Sequence, residues 1–227
     1  MADGGSPVIE LSRDGAVFVL RIDAGENRFV PDTLRGIRDA LDEVEAADGP
    51  KALVTTGAGK FYSNGLDLDY MAGSGDPAAY LASVLDLIAR VLVFPAHTVA
   101  AVNGHAFGAG ALIAVAHDAR VMRADRGYFC MPEVDMKLPL HPGMTAILQA
   151  RLPHQTAHEV IATGTRYGGE LALTRRIVDE AVAEAEVLPR AVARAAAFAA
   201  KADPAMAVLK RGMYPRVLEA LARKTGG

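Results

Sequence analysis

The residue types most able to do chemistry lie in two glycine-rich turns. The first runs Gly57-Ala58-Gly59-Lys60-Phe61-Tyr62-Ser63-Asn64-Gly65-Leu66-Asp67-Leu68, and the second Asn103-Gly104-His105-Ala106-Phe107-Gly108-Ala109-Gly110. Each follows a run that reads as a buried strand, where glycine lets bare backbone N–H groups approach a ligand closely. Taken singly, either turn reads just as well as tight packing; two after successive strands favour a ligand. Neither is a nucleotide loop, since the first lacks Gly-x-x-x-x-Gly-Lys-[Ser/Thr] and the second is not Gly-x-Gly-x-x-Gly. Side-chain alternatives fall away. The six histidines include one His-x-x-x-His pair, His154 and His158, but Gln155 stands where the zinc motif His-Glu-x-x-His has its glutamate, and no serine sits in Gly-x-Ser-x-Gly. Cys130 is the sole cysteine, which excludes an internal disulfide framework and a cysteine-based zinc finger.

Elements able to position those turns follow from the patterning. At 227 residues, 51% apolar and 22% charged, the chain suits one globular domain that needs neither disulfide nor metal staple. A formal charge of -3 gives no electrostatic footprint for nucleic acid. The longest apolar run, Val91 to Val102, is too short to span a bilayer and is broken by Pro95 and His97. The N-terminus reads as no secretory leader and the C-terminus as no peroxisomal Ser-Lys-Leu address, so a cytoplasmic location is expected.

Residues 8–12 and 16–22 read as a hairpin about Asp14-Gly15. Asp32 looks like the N-cap of a helix carrying Leu34, Ile37, Leu41 and Val44. A strand at 52–56, a helix at 77–93, a strand at 98–102, a small-residue helix to Ala116 and a strand at 119–124 follow, an order that predicts α/β architecture. Beyond Gly143 helices are expected near 144–151, 155–162, 170–175 and 188–201, with a last amphipathic segment over 204–223.

Three phrases then carry a resemblance. Gly-x-Gly-Lys-x-x-Ser-Asn-Gly-x-Asp-Leu, Ala-x-Val-Asn-Gly-His-Ala, and Met122-Arg123-Ala124-Asp125-Arg126-Gly127 followed by Met131-Pro132-Glu133-Val134-Asp135 occur in one order and spacing. From about Val8 to about Leu221 the chain resembles the crotonase, or enoyl-CoA hydratase/isomerase, superfamily, and most of all the plant-type delta-3,delta-2-enoyl-CoA isomerases. The resemblance implies an α/β crotonase-like spiral of repeated ββα turns. It implies a core over 1–190 and a helical region over 191–227 for oligomerisation and closure of the acyl-CoA site.

It also implies roles. The backbone N–H groups of Leu66 and Ala109 would form an oxyanion hole for an acyl-CoA thioester, the helix start adding partial positive charge. Hydratases of this kind use two glutamates; one position is Leu112 here and the other is Glu133. A single base suffices to move a double bond from C3 to C2 of a 3-enoyl-CoA, so Glu133 would be the base of an isomerase acting in fatty acid β-oxidation. Its apolar neighbours Tyr128, Phe129, Cys130, Met131, Pro132, Val134, Met136 and Leu138 predict a dry setting that raises its pKa. Asp135 reads as a structural cap or ion pair.

Substrate contacts are expected from Lys60, Phe61, Ser63, Asn64, Gly65, Asp67, Leu68, Gly108, Leu112, Met131 and Pro132. Lys60, Lys210 and Arg211 are candidates for the CoA phosphates, and Tyr70, Met71, Met131, Met136 and Leu140 for the acyl pocket. The expected partner is an acyl-CoA, with no nucleic acid or membrane; no cofactor beyond CoA and no metal is expected, and assembly as a homotrimer or hexamer. The rivals are another crotonase-type reaction (weak hydration, thioester hydrolysis or decarboxylation) and a non-catalytic acyl-CoA binder, the latter predicting a surface-exposed Glu133.

Overall fold

A computed structural model describes residues 8–224, so the readings of leader and address signals at 1–7 and 225–227 lie outside it. Strands β1 (Val8–Asp14) and β2 (Val17–Asp23) pair antiparallel across Gly15, whose φ of 58° suits glycine. Helix α1 (Pro31–Ala46) buries Leu34, Ile37, Leu41 and Val44. A unit of long strand, short strand and helix then recurs. Its first copy is β3 (Ala52–Gly57), β4 (Phe61–Ser63), α2 (Leu68–Gly73) and α3 (Pro77–Leu92). The second is β5 (His97–Val102), β6 (His105–Phe107) and α4 (Ala109–Ala116). The third is β7 (Ala119–Arg123), β8 (Phe129–Cys130) and α5 (Glu133–Met136), extended by α6 (Pro142–Arg151), α7 (His154–Thr163) and α8 (Gly169–Thr174). Strand β9 (Glu180–Val182) and helices α9 (Glu184–Ala196), α10 (Pro204–Met213) and α11 (Pro215–Leu221) complete the described chain.

The long strands join a six-stranded sheet, β1-β2-β3-β5-β7-β9, parallel beyond its first pair, while β4, β6 and β8 stack as a second parallel sheet. This is the expected α/β spiral of ββα turns. Its corners stack on one another, which explains the glycines there. A Cβ on Gly104 would lie 2.6 Å from the Lys60 carbonyl carbon, and one on Gly127 would lie 2.7 Å from that of Gly104. The central strands β3, β5 and β7 are buried on both faces, hence the nearly continuous apolar runs of β3 and β5, while β1 at the edge is largely exposed. One face packs on α1, α3 and α4; the other meets Val187, Ala191 and Ala195 of α9 through Val19, Val54, Val99 and Val121.

Several local readings need correction. Pro31 occupies the first helical position of α1, so the cap is Val30, and Asp32 instead pairs with Arg35 at 2.6 Å. The helix placed at 188–201 begins at Glu184, carries Pro189 inside it and gives way to a 3-10 turn at Ala199–Lys201. The 204–223 segment is two helices because Pro215 disfavours helical backbone at Tyr214. Lys210 is not free to meet a phosphate: it is buried, donating from Nζ to Asp118 Oδ2 at 2.7 Å and to the Ala96 carbonyl at 3.0 Å. Burial holds its pKa below the usual lysine value, against the pull of Asp118. No helix among the described residues is long and apolar enough to cross a membrane.

A buried polar chain ties the two sheets together. His117 Nδ1 lies 2.7 Å from the Ile113 carbonyl, which can only accept, so Nδ1 carries the proton. Nε2 therefore accepts from the Thr55 hydroxyl at 2.9 Å, and Thr55 in turn accepts from Tyr62 at 2.7 Å. Burial depresses the His117 pKa from 6.5 to about 4. Because the folded-state value is lowered, the neutral ring's contribution is whole above pH 6.5 and is lost as pH falls toward 4. Urea unfolding of wild type and His117→Gln is expected to show a stability gap that narrows by roughly 3 kcal/mol over that window.

Candidate active site

The first glycine-rich turn is held by a residue the sequence reading passed over. Asn27 is fully buried at a φ of 54°, a region that asparagine tolerates better than most residues. Its Oδ1 accepts from the Ala24 N–H at 2.8 Å, and its Nδ2 donates to the Phe61 carbonyl at 2.8 Å. Ser63 donates its hydroxyl proton to the Asn27 carbonyl at 2.7 Å and accepts from the Gly65 N–H at 3.1 Å. Asn64 bonds Glu26 through both its backbone, at 2.9 Å, and its side chain, at 2.8 Å. The Gly65 carbonyl accepts from Phe29 N–H at 2.9 Å. The only sequence hint of this brace was an asparagine after Gly25 in a turn.

So braced, the loop turns at Gly65, with φ of 77°, directly against the second glycine-rich turn. A Cβ at Gly65 would lie 2.6 Å from the Phe107 carbonyl oxygen and 2.8 Å from the Ala109 nitrogen, closer than any side chain tolerates. Hydrogen alone at that position lets Leu66 and Ala109 come together. Ala109 is the first residue of α4, behind Gly108 at φ 51°. The N–H groups of Leu66 and Ala109 donate to no protein acceptor among the described residues. Two free donors, one backed by the positive end of a helix, make a place for negative charge. Asp67 instead caps α2, accepting from the Tyr70 N–H at 2.8 Å.

Glu133 approaches from the third unit. β8 pairs with β6, and Phe129 exchanges two 2.9 Å backbone bonds with Tyr167, so the chain leaves β8 in a fixed direction. Glu133 opens α5, and its Oε1 lies 3.4 Å from the position a Cβ would take on Gly108. Its Oε2 is buried with no hydrogen-bond partner among the described residues. Burial raises the Glu133 pKa above 4.5, opposed only by a bond to its own backbone N–H. The expected dry segment is half right: Phe129, Cys130 and Met131 are buried, whereas Tyr128, Val134, Met136 and Leu138 are all at least 40% exposed. The position of the carboxyl against the second glycine turn adds to its burial.

These groups share a cavity of about 500 Å³. Leu66, Ala109 and Glu133 line it, as do Asn64, Leu68, Gly108, Pro132, Met71 and Met136. The others do not. Met131 and Leu112 are buried in the core, Ser63 and Gly65 work behind the wall, and Lys60, Phe61, Asp67, Tyr70 and Leu140 lie off it. Arg28, Leu81, Phe107, Leu138, Pro139, His141 and Met144 line it without having been expected. Asp135 sits against Gly164 rather than in the cavity. Cys130 is no nucleophile: its thiol donates to the Gly164 carbonyl at 3.3 Å and burial pushes its pKa up to about 11. No group of acidic, histidine and cysteine side chains that could hold a metal occurs among the described residues.

Residues 13–225 match the family model described as enoyl-CoA hydratase/isomerase. The chain is 34% identical to peroxisomal enoyl-CoA delta isomerase 2 of Arabidopsis thaliana, over 95% of each chain. A Mycobacterium tuberculosis protein described in one structure as an enoyl-CoA isomerase and in another as a probable enoyl-CoA hydratase superposes with a TM-score of 0.86 at 26% identity, covering 94% of this chain and 93% and 91% of those. Human mitochondrial delta3-delta2-enoyl-CoA isomerase shares the fold with a TM-score of 0.86 at 23% identity, covering 94% and 85%.

The carboxyl of Glu133 is expected to titrate above the ordinary glutamate value. Carbon-13 NMR of side-chain-labelled protein checks this, with Glu133→Gln identifying the resonance; a midpoint at or below 4.5 would contradict the desolvated setting.

Proposed function

The chain belongs to the enoyl-CoA hydratase/isomerase family, and from that premise we propose that it is a delta-3,delta-2-enoyl-CoA isomerase serving fatty acid β-oxidation. One observation carries the choice of reaction. Glu133 is the sole acidic side chain among the described residues lining the cavity, and the position of a hydratase's other glutamate is the buried Leu112. Hydration needs water placed and split between two acids; a double-bond shift needs one group that takes and returns a proton.

The steps follow from the geometry. The thioester oxygen of a 3-enoyl-CoA sits between the Leu66 and Ala109 N–H groups, which stabilise negative charge as it forms. Glu133 removes a proton from C2. The electron pair spreads through the thioester and the C3–C4 double bond as a dienolate. Protonated Glu133 then delivers its proton to C4, and the double bond comes to rest between C2 and C3. A raised Glu133 pKa suits both halves, since the carboxylate is a stronger base and its acid still gives the proton back. No cofactor beyond the CoA of the substrate takes part.

Purified protein given cis- and trans-3-enoyl-CoA, with excess 2-enoyl-CoA hydratase and 3-hydroxyacyl-CoA dehydrogenase, should generate NADH. Glu133→Gln should abolish it, and Gly65→Ala should lower kcat by about 10²–10³ by parting the two donors. kcat/KM should fall as pH drops through the raised Glu133 pKa, because the base must be ionised. Tight acyl-CoA binding without turnover would sink the assignment.

Assembly as a homotrimer, or a hexamer of two trimers, belongs to the same reading. Helix α10 supports it, turning Lys210 inward while Val208, Leu209 and Met213 stand 68%, 70% and 66% exposed. Leu209→Asp with Met213→Asp should shift the mass seen by light scattering toward the monomer; an unchanged mass would place the contact elsewhere.

A further inference from the structure

The acyl cavity shares a wall with a second cavity of about 320 Å³. Leu81 and His141 line both, so these two side chains separate one space from the other. On the far side, Ala78, Ala79 and Ala82 leave a shallow channel along α3, which ends at Arg223 and Lys224.

The two members of the wall are held differently. His141 is fixed at both ring nitrogens: Nδ1 accepts from the Gly143 N–H at 3.1 Å, so Nε2 carries the proton and donates to the Arg223 carbonyl at 3.0 Å. That second bond ties the wall to the end of α11, which lies against α6 so closely that a Cβ on Gly143 would come within 2.6 Å of the Leu221 Cα. Leu81 has no such tether. It sits half-buried on α3 and is held by packing alone.

We propose that Leu81, standing against the fixed ring of His141, sets the acyl-chain length this protein accepts, closing the pocket to long chains that would otherwise run into the α3 channel. The inference rests on the acyl chain occupying the cavity assigned to it above. Methylenes within the first cavity gain apolar contact, whereas those beyond the wall must displace Leu81. Trimming Leu81 joins the two spaces; enlarging it shortens the first.

The test reads binding, so it does not depend on turnover. Dissociation constants for hexanoyl-CoA and tetradecanoyl-CoA are measured by calorimetry on wild type, Leu81→Ala and Leu81→Phe, with circular dichroism reporting the fold of each. Wild type should gain little from the longer chain. Leu81→Ala should favour tetradecanoyl-CoA over hexanoyl-CoA by about tenfold or more relative to wild type, the discrimination a hydrophobic pocket gains from added methylenes. Leu81→Phe should move the same ratio the other way, which a merely loosened structure would not do. An unchanged ratio in both folded variants, or a wild type that already prefers the longer chain tenfold, would overturn the gate. Wild-type turnover of 3-enoyl-CoA, run alongside, separates the two claims: no turnover with the ratio shifted as expected removes the reaction and leaves the gate, and turnover with a fixed ratio does the reverse.

Discussion

Everything in this site depends on how closely two stretches of backbone approach each other. Gly65 lies so near the Phe107 carbonyl and the Ala109 nitrogen that a single methyl group would force them apart. That contact sets the spacing of the two unpaired N–H donors, and the ββα spiral exists, in functional terms, to make it. Each unit ends its long strand at the same edge, turns a glycine corner on the one before it, and sends its short strand into the second sheet. The donors come from two successive units and the carboxylate from the third. Asn27 and Ser63 then fix the first loop through buried hydrogen bonds, so little reorganisation is left for the moment when charge develops.

The carboxylate is the complementary element. A buried polar atom left without a partner costs about 1–3 kcal/mol, and the protein tolerates one at Glu133 Oε2. The same vacancy raises the proton affinity of the group and leaves an oxygen free to take a proton from a ligand. Stability elsewhere comes from polar groups that are paired, such as the Thr55–Tyr62–His117 chain and the Lys210–Asp118 pair. Among the described residues Thr33, His97 and His105 also keep a buried polar atom without a partner, and Glu133 is the one of the four that lines the cavity.

Much of this was legible in the sequence, and the parts that were not share a physical cause. The central strands show as apolar runs because both of their faces are covered, and the long helices show through their period. The short strands β4, β6 and β8 do not show: Phe61–Ser63 and His105–Phe107 lie inside the glycine-rich turns, and only pairing between successive units makes them a sheet. The donors at Leu66 and Ala109 could be placed because glycines announce them. The wall on the α3 and α6 side could not, since Leu81, His141 and Met144 come together only after those helices have packed. Lys210 misled for the same reason. A lysine on a helix reads as solvated until the fold brings Asp118 beneath it.

The central claim is that one carboxyl, shielded from water, carries the proton from one carbon to the other. The most direct measurement follows the hydrogen itself. A 3-enoyl-CoA deuterated at C2 is turned over in ordinary water, and mass spectrometry with NMR locates the label in the 2-enoyl product. Deuterium recovered at C4 is the predicted result, because the atom Glu133 removes is the atom it returns. Product carrying only solvent hydrogen at C4, with the label lost to water, would contradict a single sheltered base.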